Sequence, residues 1–181
     1  MAVGTDSIDL GGIVLPDGRT GEPVDCAGLR LALVSLIRHR HCLPCQQHLG
    51  RVRQRAPEAA ELGATVVAIG FSPPESLARL ADELDWPSLF LSDEQRILYA
   101  RLGLTRARRR DVFNPGTLRI YRDARRRGAT IRAPVEDYLQ LGGDAVVREG
   151  RAVRVFRPRS PDDRVSTDEL LDALRAAAPP R

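Results

Sequence analysis

The near-continuous apolar run at residues 29–37, Leu-Arg-Leu-Ala-Leu-Val-Ser-Leu-Ile, restricts the fold of this chain more than any other stretch. It is far shorter than the ~20 residues of a membrane-spanning helix. It also lacks the apolar–polar alternation of a strand with one wet face, so it reads as a strand covered on both sides within a largely parallel sheet. Shorter runs of the same kind follow at 64–69 and 88–91. Between and after them, apolar residues recur at helical spacing: Cys45, Leu49, Val52, Ala56, Ala59 and Leu62, then Leu77, Leu80, Ala81 and Leu84, then Ile97, Leu98 and Leu102. Strand–helix alternation of this order predicts parallel strands with helices on the faces of the sheet.

Local signals set the boundaries. Gly63 and Gly103 end the first and third helices, and Pro57 kinks or splits the first. Ser72-Pro73-Pro74-Glu75 supplies an N-cap serine, a helix-starting proline and an acid three residues on for the second. Ser92 or Asp93 caps the third. Before all this, residues 1–28 carry turn signals (Gly11-Gly12, Pro16-Asp17-Gly18, Gly21-Glu22-Pro23) that predict a small N-terminal hairpin. Residues 105–141 break the rhythm with two arginine clusters, 106–110 and 125–127, around a helix at 115–127 closed by Gly128, and read as an insertion. A hairpin at 144–148 and 152–156, turning on Glu149-Gly150, and a capped helix after Ser166 with Leu170, Leu171 and Leu174 complete one domain over residues 1–181, with a frayed tail.

Composition narrows the class. Hydrophobic content of 43% with 29% charged residues is that of a globular protein, and the polar, slightly acidic start is no secretory leader, so a cytoplasmic home and no membrane partner are expected. All 28 basic residues are arginine, a pattern that GC-rich coding explains without reference to function. With a net charge of +4 and only 4% aromatics, the arginine clusters read as solvated faces and no nucleic-acid partner is expected. A monomer or homodimer is expected.

The chemistry concentrates in Arg38-His39-Arg40-His41-Cys42-Leu43-Pro44-Cys45-Gln46-Gln47-His48, where the first strand hands over to the first helix. In a reducing compartment a close cysteine pair is catalytic, redox-sensing or metal-binding rather than a structural staple. A helix N-terminus, two arginines and His41 beside the pair all favour a thiolate, the species that attacks disulfides and peroxides. His41 is therefore the histidine expected to tune the site, while His39 and His48 are expected to be solvated. The alternative is zinc or copper held by Cys42 and Cys45 with His39, His41 or His48, though the strand–helix setting favours redox chemistry. Cys26 reads as a small buried hydrophobe.

Several further motifs, in this order, carry a resemblance: Val67-Ala68-Ile69-Gly70-Phe71-Ser72, Trp86-Pro87-Ser88-Leu89-Phe90-Leu91-Ser92-Asp93-Glu94, Leu98-Tyr99-Ala100-Arg101-Leu102-Gly103-Leu104, and Gln140-Leu141-Gly142-Gly143. Together with the Cys-x-x-Cys they resemble the AhpC/TSA peroxiredoxin-like proteins, relatives of the prostamide/prostaglandin F synthases, over roughly residues 29–175. The resemblance implies a thioredoxin-like α/β fold, a central mixed sheet flanked by helices. It also implies thiol–disulfide oxidoreductase chemistry on a peroxide or disulfide, a thioredoxin- or glutathione-type reductant, and neither cofactor nor metal. Thioredoxin-like geometry makes Cys42 the exposed nucleophile and Cys45 the resolving thiol, which is the preferred assignment; the peroxiredoxin rule would make Cys45 the attacker. The sequence has no Pro-x-x-x-Thr-x-x-Cys motif, and Gly142-Gly143-Asp144 stands where thioredoxins carry a cis-proline.

Overall fold

Strand β1 (Ala2–Gly4) and strand β2 (Ile8–Asp9) open the chain, and β3 (Val14–Pro16) pairs with β4 (Pro23–Asp25) as the N-terminal hairpin. After a 3-10 turn, β5 (Leu31–Leu36) leads into α1 (Leu43–Gln54) and α2 (Ala56–Glu61). Then come β6 (Thr65–Gly70), α3 (Pro74–Glu83), β7 (Phe90–Ser92) and α4 (Ile97–Arg101). The short α5 (Arg109–Val112) and α6 (Pro115–Arg126) follow, and β8 (Gly143–Arg148), β9 (Arg151–Arg157) and α7 (Thr167–Ala177) close the fold. The structure, a computed structural model, describes residues 2–4 and 7–179. Of the tail expected to fray, Pro180 and Arg181 lie outside the described residues.

The main sheet runs β1–β9–β8–β5–β6–β7, with β2 also on β9. Its β5–β6 and β6–β7 pairs are parallel and the rest antiparallel, so the sheet is mixed. Every residue of β5 is buried. Leu31 and Leu33 face α1, α3 and α7 through Leu49, Val52, Leu77, Leu170 and Leu174. Ala32, Val34 and Leu36 face the other way, onto Leu98, Tyr99, Leu102 and the hairpin's Leu15. Burial on both faces is why the run shows no alternation.

The predicted boundaries hold within a few residues, with instructive exceptions. The split expected at Pro57 is observed and is no exception: the helix running toward Gly63 is two helices, parted at Arg55, with Pro57 seated in the first turn of α2, where its missing N–H costs nothing. Ser72 does not cap α3; its hydroxyl donates to the Glu136 carboxylate and ties the end of β6 to the 131–138 segment. Asp93 takes the capping role for α4, accepting from the N–H groups of Ile97, Leu98 and Tyr99. Strands β1 and β2 are too short for a periodic signal and were not foreseen. Glu149 and Gly150 both have positive φ (47° and 69°), the backbone a tight hairpin turn demands.

The 105–141 segment leaves and returns at one point. Arg106 and Gln140 form an antiparallel bridge, and the Gln140 amide donates to the Leu104 and Leu141 carbonyls. From that clamp the segment reaches over the end of β5, and α6 lies against α1. Among the described residues no helix is long and apolar enough to cross a membrane.

Candidate active site

Strand β5 ends against a fixed ceiling. Ile37 N–H donates to Ile69 O at 2.8 Å, and the buried Tyr99 hydroxyl donates to Ile37 O at 2.5 Å. The chain then turns, Cys42 N–H donating to His39 O at 3.0 Å, and Cys42 becomes the N-cap of α1 with Pro44 in the first turn. Cys45 sits within that turn, close to the free N–H groups and positive end of the helix.

The two sulfurs lie 2.6 Å apart as free thiols, poised to form a disulfide. Both are sealed from solvent, Cys42 at 0% and Cys45 at 2% exposure, which corrects the expectation that Cys42 is the exposed member. Both belong to the core cluster that packs α1 on the sheet, and the 105–141 segment adds contacts of its own. From it, Tyr138 O accepts from one arm of the Arg38 guanidinium, whose other arm reaches Cys42 Sγ at 3.6 Å.

The environments of the two sulfurs differ. Burial opposes ionisation of Cys45, but a hydrogen bond from Cys42, the charges of Arg164 and Arg38, and the Arg38 N–H at 3.4 Å outweigh it and bring the thiol down to about 6. Cys42 is pushed well above its ordinary range by burial and by the adjacent Cys45, with Arg38 pulling only partly against this. The pair thus holds its first negative charge on Cys45.

Beneath the thiols is a buried polar cluster. Asp144 on β8 lies opposite Ser35 on β5 and accepts from the Ser35 hydroxyl at 2.7 Å, from His48 Nε2 at 2.9 Å and from Arg164 at 2.9 Å. Arg164 also donates to Leu36 O and Gly143 O, so one guanidinium joins β5, β8 and the loop before α7. Burial raises the Asp144 carboxyl, yet Arg164, His48 and Ser35 together hold it at about 2. Gly142 is required here: a Cβ on it would stand 2.1 Å from Leu36 O and 2.9 Å from the Arg164 guanidinium.

Of the residues singled out in the sequence, the structure joins Cys42, Cys45 and Arg38 but takes His41 elsewhere, its Nδ1 at 2.9 Å from Ala133 O. His39 and His48 are buried, not solvated. His39 lies at the cavity it shares with residues 131–134, and burial followed by the nearby Arg38 charge lowers it to about 3. His48 is bound to Asp144, and burial lowers it as well. Among the described residues no three histidine, cysteine or acidic side chains converge as metal ligands. Cys26 is a buried apolar-face residue as expected, on the other side of the sheet from the pair, raised to about 12 chiefly by burial.

Sequence reasoning missed Arg164, Tyr121 and the Ser35–Asp144 pair. A serine and an aspartate, each lone in an otherwise apolar strand, were the available signal for the last; nothing local marks Arg164. Beside the thiols opens a cavity of about 570 Å³, walled by Arg38, His39, Phe113, Leu118, Tyr121 and Tyr138 among others. Its lining is mostly apolar. The Tyr121 hydroxyl faces the Leu43 N–H and is raised by burial and by the two sulfurs, so it stays protonated at neutral pH.

Comparison with known proteins gives these features a context. Residues 51–160 match the model of the AhpC/TSA antioxidant enzymes, a match that begins just after the cysteine pair. No match is found among curated protein sequences. Among solved structures, the peroxidoxin BcpB of Mycobacterium tuberculosis is similar with a TM-score of 0.62 and 18% identity, over 94% of this chain and 93% of that one. Peroxiredoxin Q of Xanthomonas campestris is similar with a TM-score of 0.67 and 13% identity, over 94% of each chain. A secreted M. tuberculosis disulfide oxidoreductase homologous to E. coli DsbE follows with a TM-score of 0.56 and 17% identity, over 91% and 95%. The thioredoxin-like layout expected from the sequence is the fold observed.

Proposed function

The chain belongs to the AhpC/TSA antioxidant enzyme family, and from that premise we propose that it is a thiol peroxidase in which Cys45 attacks and Cys42 resolves. The observation that carries this is the asymmetry of the pair: Cys45 receives the Arg38 N–H, the Cys42 thiol and the Arg164 field, while Cys42 is held as the thiol. The preference for Cys42 as attacker rested on its exposure, and neither sulfur is exposed.

The Cys45 thiolate attacks the outer oxygen of a hydroperoxide. The O–O bond breaks, the leaving alkoxide takes a proton to become an alcohol, and Cys45 becomes a sulfenic acid. Cys42, already 2.6 Å away, then displaces hydroxide from that sulfur; water leaves and the Cys42–Cys45 disulfide forms. A thioredoxin-type dithiol or two glutathiones return the pair to the reduced state by exchange, which suits a reducing compartment such as the cytoplasm. Arg38 spans Cys42 and the cavity wall, where its guanidinium can donate to a peroxide oxygen. The mostly apolar cavity favours an organic hydroperoxide over hydrogen peroxide. His41, turned to Ala133, is given no part at the sulfur.

Peroxide consumption with a thioredoxin system tests the scheme. Cys45→Ser is expected to abolish turnover, and Cys42→Ser to stop after one equivalent with a sulfenic acid that a dimedone probe maps to Cys45. The rate of the first step should fall about tenfold per pH unit below about 6, where Cys45 is protonated. A sulfenic acid mapped to Cys42, or retained turnover in Cys45→Ser, refutes the assignment.

A further inference from the structure

Six large apolar side chains among the described residues are exposed, and four of them, Phe113, Leu118, Ile131 and Val135, belong to the 105–141 segment, at 43% to 77% exposure. They are neighbours. Phe113, Leu118 and Ile131 line the cavity beside the thiols, and Val135 follows Pro134, which lines it too. The cavity therefore opens through an apolar patch.

The segment that carries that patch also carries the protein's excess charge, and Arg132, Arg119 and Arg122 lie beside the patch itself. Residues 105–141 hold ten arginines against four acids, while the rest of the chain holds eighteen against twenty. Arg119 and Arg122 share a surface groove with Leu118, and Arg125 lies one turn beyond Arg122 on the same helix. Among the described residues Arg108, Arg109, Arg119, Arg125, Arg127 and Arg132 make no ion pair, and all six are exposed.

We propose that this face docks on an anionic phospholipid surface, the apolar residues entering the headgroup boundary and the arginines meeting lipid phosphates. The charge pattern favours that partner over the others an apolar patch could cover. A second copy of the chain would set the same patch against itself and bring arginine against arginine. A nucleic acid would find phosphate partners but nothing to do with Leu118, Ile131 and Val135, which offer neither base-edge hydrogen bonds nor stacking planes. A bilayer rich in acidic lipid uses both halves of the pattern, and guanidinium groups match phosphate in two-point contacts.

Docking does not depend on the thiol reading, and the test keeps the two apart by using the Cys42→Ser, Cys45→Ser protein. It is sedimented with vesicles of phosphatidylcholine alone and of phosphatidylcholine mixed with phosphatidylglycerol. Binding is expected to the mixed vesicles only and to weaken with added salt. The combined Arg119→Gln, Arg122→Gln, Arg125→Gln change should lower partitioning about a hundredfold, and Val135→Ser should lower it about fivefold. In the cysteine-intact protein the triple change should leave turnover of a water-soluble hydroperoxide unaltered. Equal binding to both vesicle types, binding to neither, or a dimer in light scattering that Val135→Ser disrupts, overturns the proposal.

Discussion

Replacing Arg164 by methionine removes one guanidinium and keeps most of the stem, and the structure makes its consequences separable. Three donated hydrogen bonds disappear, to Leu36 O, Gly143 O and Asp144. The larger effect is on Asp144, a carboxylate at 1% exposure that loses its permanent cation and keeps only Ser35 and His48. Stranding one member of a buried ion pair costs about 3–5 kcal/mol, a large share of a total stability of about 5–15 kcal/mol. Adding Asp144→Asn removes the stranded charge and should return roughly half of the loss, so the double variant is more stable than the single. The thiol responds differently. Arg164 is the leading charge acting on Cys45, so its loss should raise the alkylation midpoint from about 6 by about one pH unit, and Asp144→Asn should leave most of that rise in place. Urea unfolding at neutral pH reads the first effect, and pH-dependent alkylation with peptide mapping reads the second. A single variant that loses less than about 1 kcal/mol, or a double variant no more stable than the single, would show that the cluster is not coupled in this way.

Three further outcomes follow from the described contacts. His39, held at about 3, stays neutral in the folded protein, while the unfolded chain takes up a proton below its ordinary 6.5. Stability is therefore complete above pH 6.5 and declines as pH falls toward 3, by about 1.4 kcal/mol per unit. His39→Gln should flatten that part of the urea-derived stability profile, and an unchanged slope would exclude His39 as its source. Asp93→Ala strips three N–H groups at the start of α4 of their acceptor and should cost about 1–2 kcal/mol in thermal unfolding; a loss within experimental error would mean that water replaces it. Gly142→Ala drives a methyl into Leu36 O and the Arg164 guanidinium, and a destabilisation of about 3 kcal/mol is expected by the same measurement, with a neutral result showing that β5 and β8 can separate there.

The sheet was legible because β5, β6 and β7 are buried on both faces and the helices between them repeat apolar residues at one spacing. The dithiol at the strand-to-helix joint was legible for the same reason, since the end of β5 fixes where α1 starts. What escaped depends on contacts across the chain. Ser35 and Asp144 are 109 residues apart and meet only through the β5–β8 register. Arg164 reaches them from a loop whose other arginine, Arg159, is exposed. His39 and His48 look polar and exposed in isolation, but the fold buries both, His39 beside the cavity that residues 131–134 also line and His48 against Asp144. The role of Ser72 was misjudged through an adequate local rule, the N-cap, that lost to a partner at Glu136.

The roof over the sulfurs governs which reactions are possible in sequence. With Cys42 and Cys45 buried near Tyr121, Arg38 and Tyr138, the proposed reaction with an oxidant requires that cover to shift first, and its movement sets an upper limit on the first step of that scheme. The proposed second step faces no such wait, because Cys42 Sγ already lies 2.6 Å from Cys45 Sγ. In that scheme a sulfenic acid on Cys45 would meet Cys42 before another peroxide could enter, and the cover that delays the proposed first oxidation would shield the sulfur from the irreversible second.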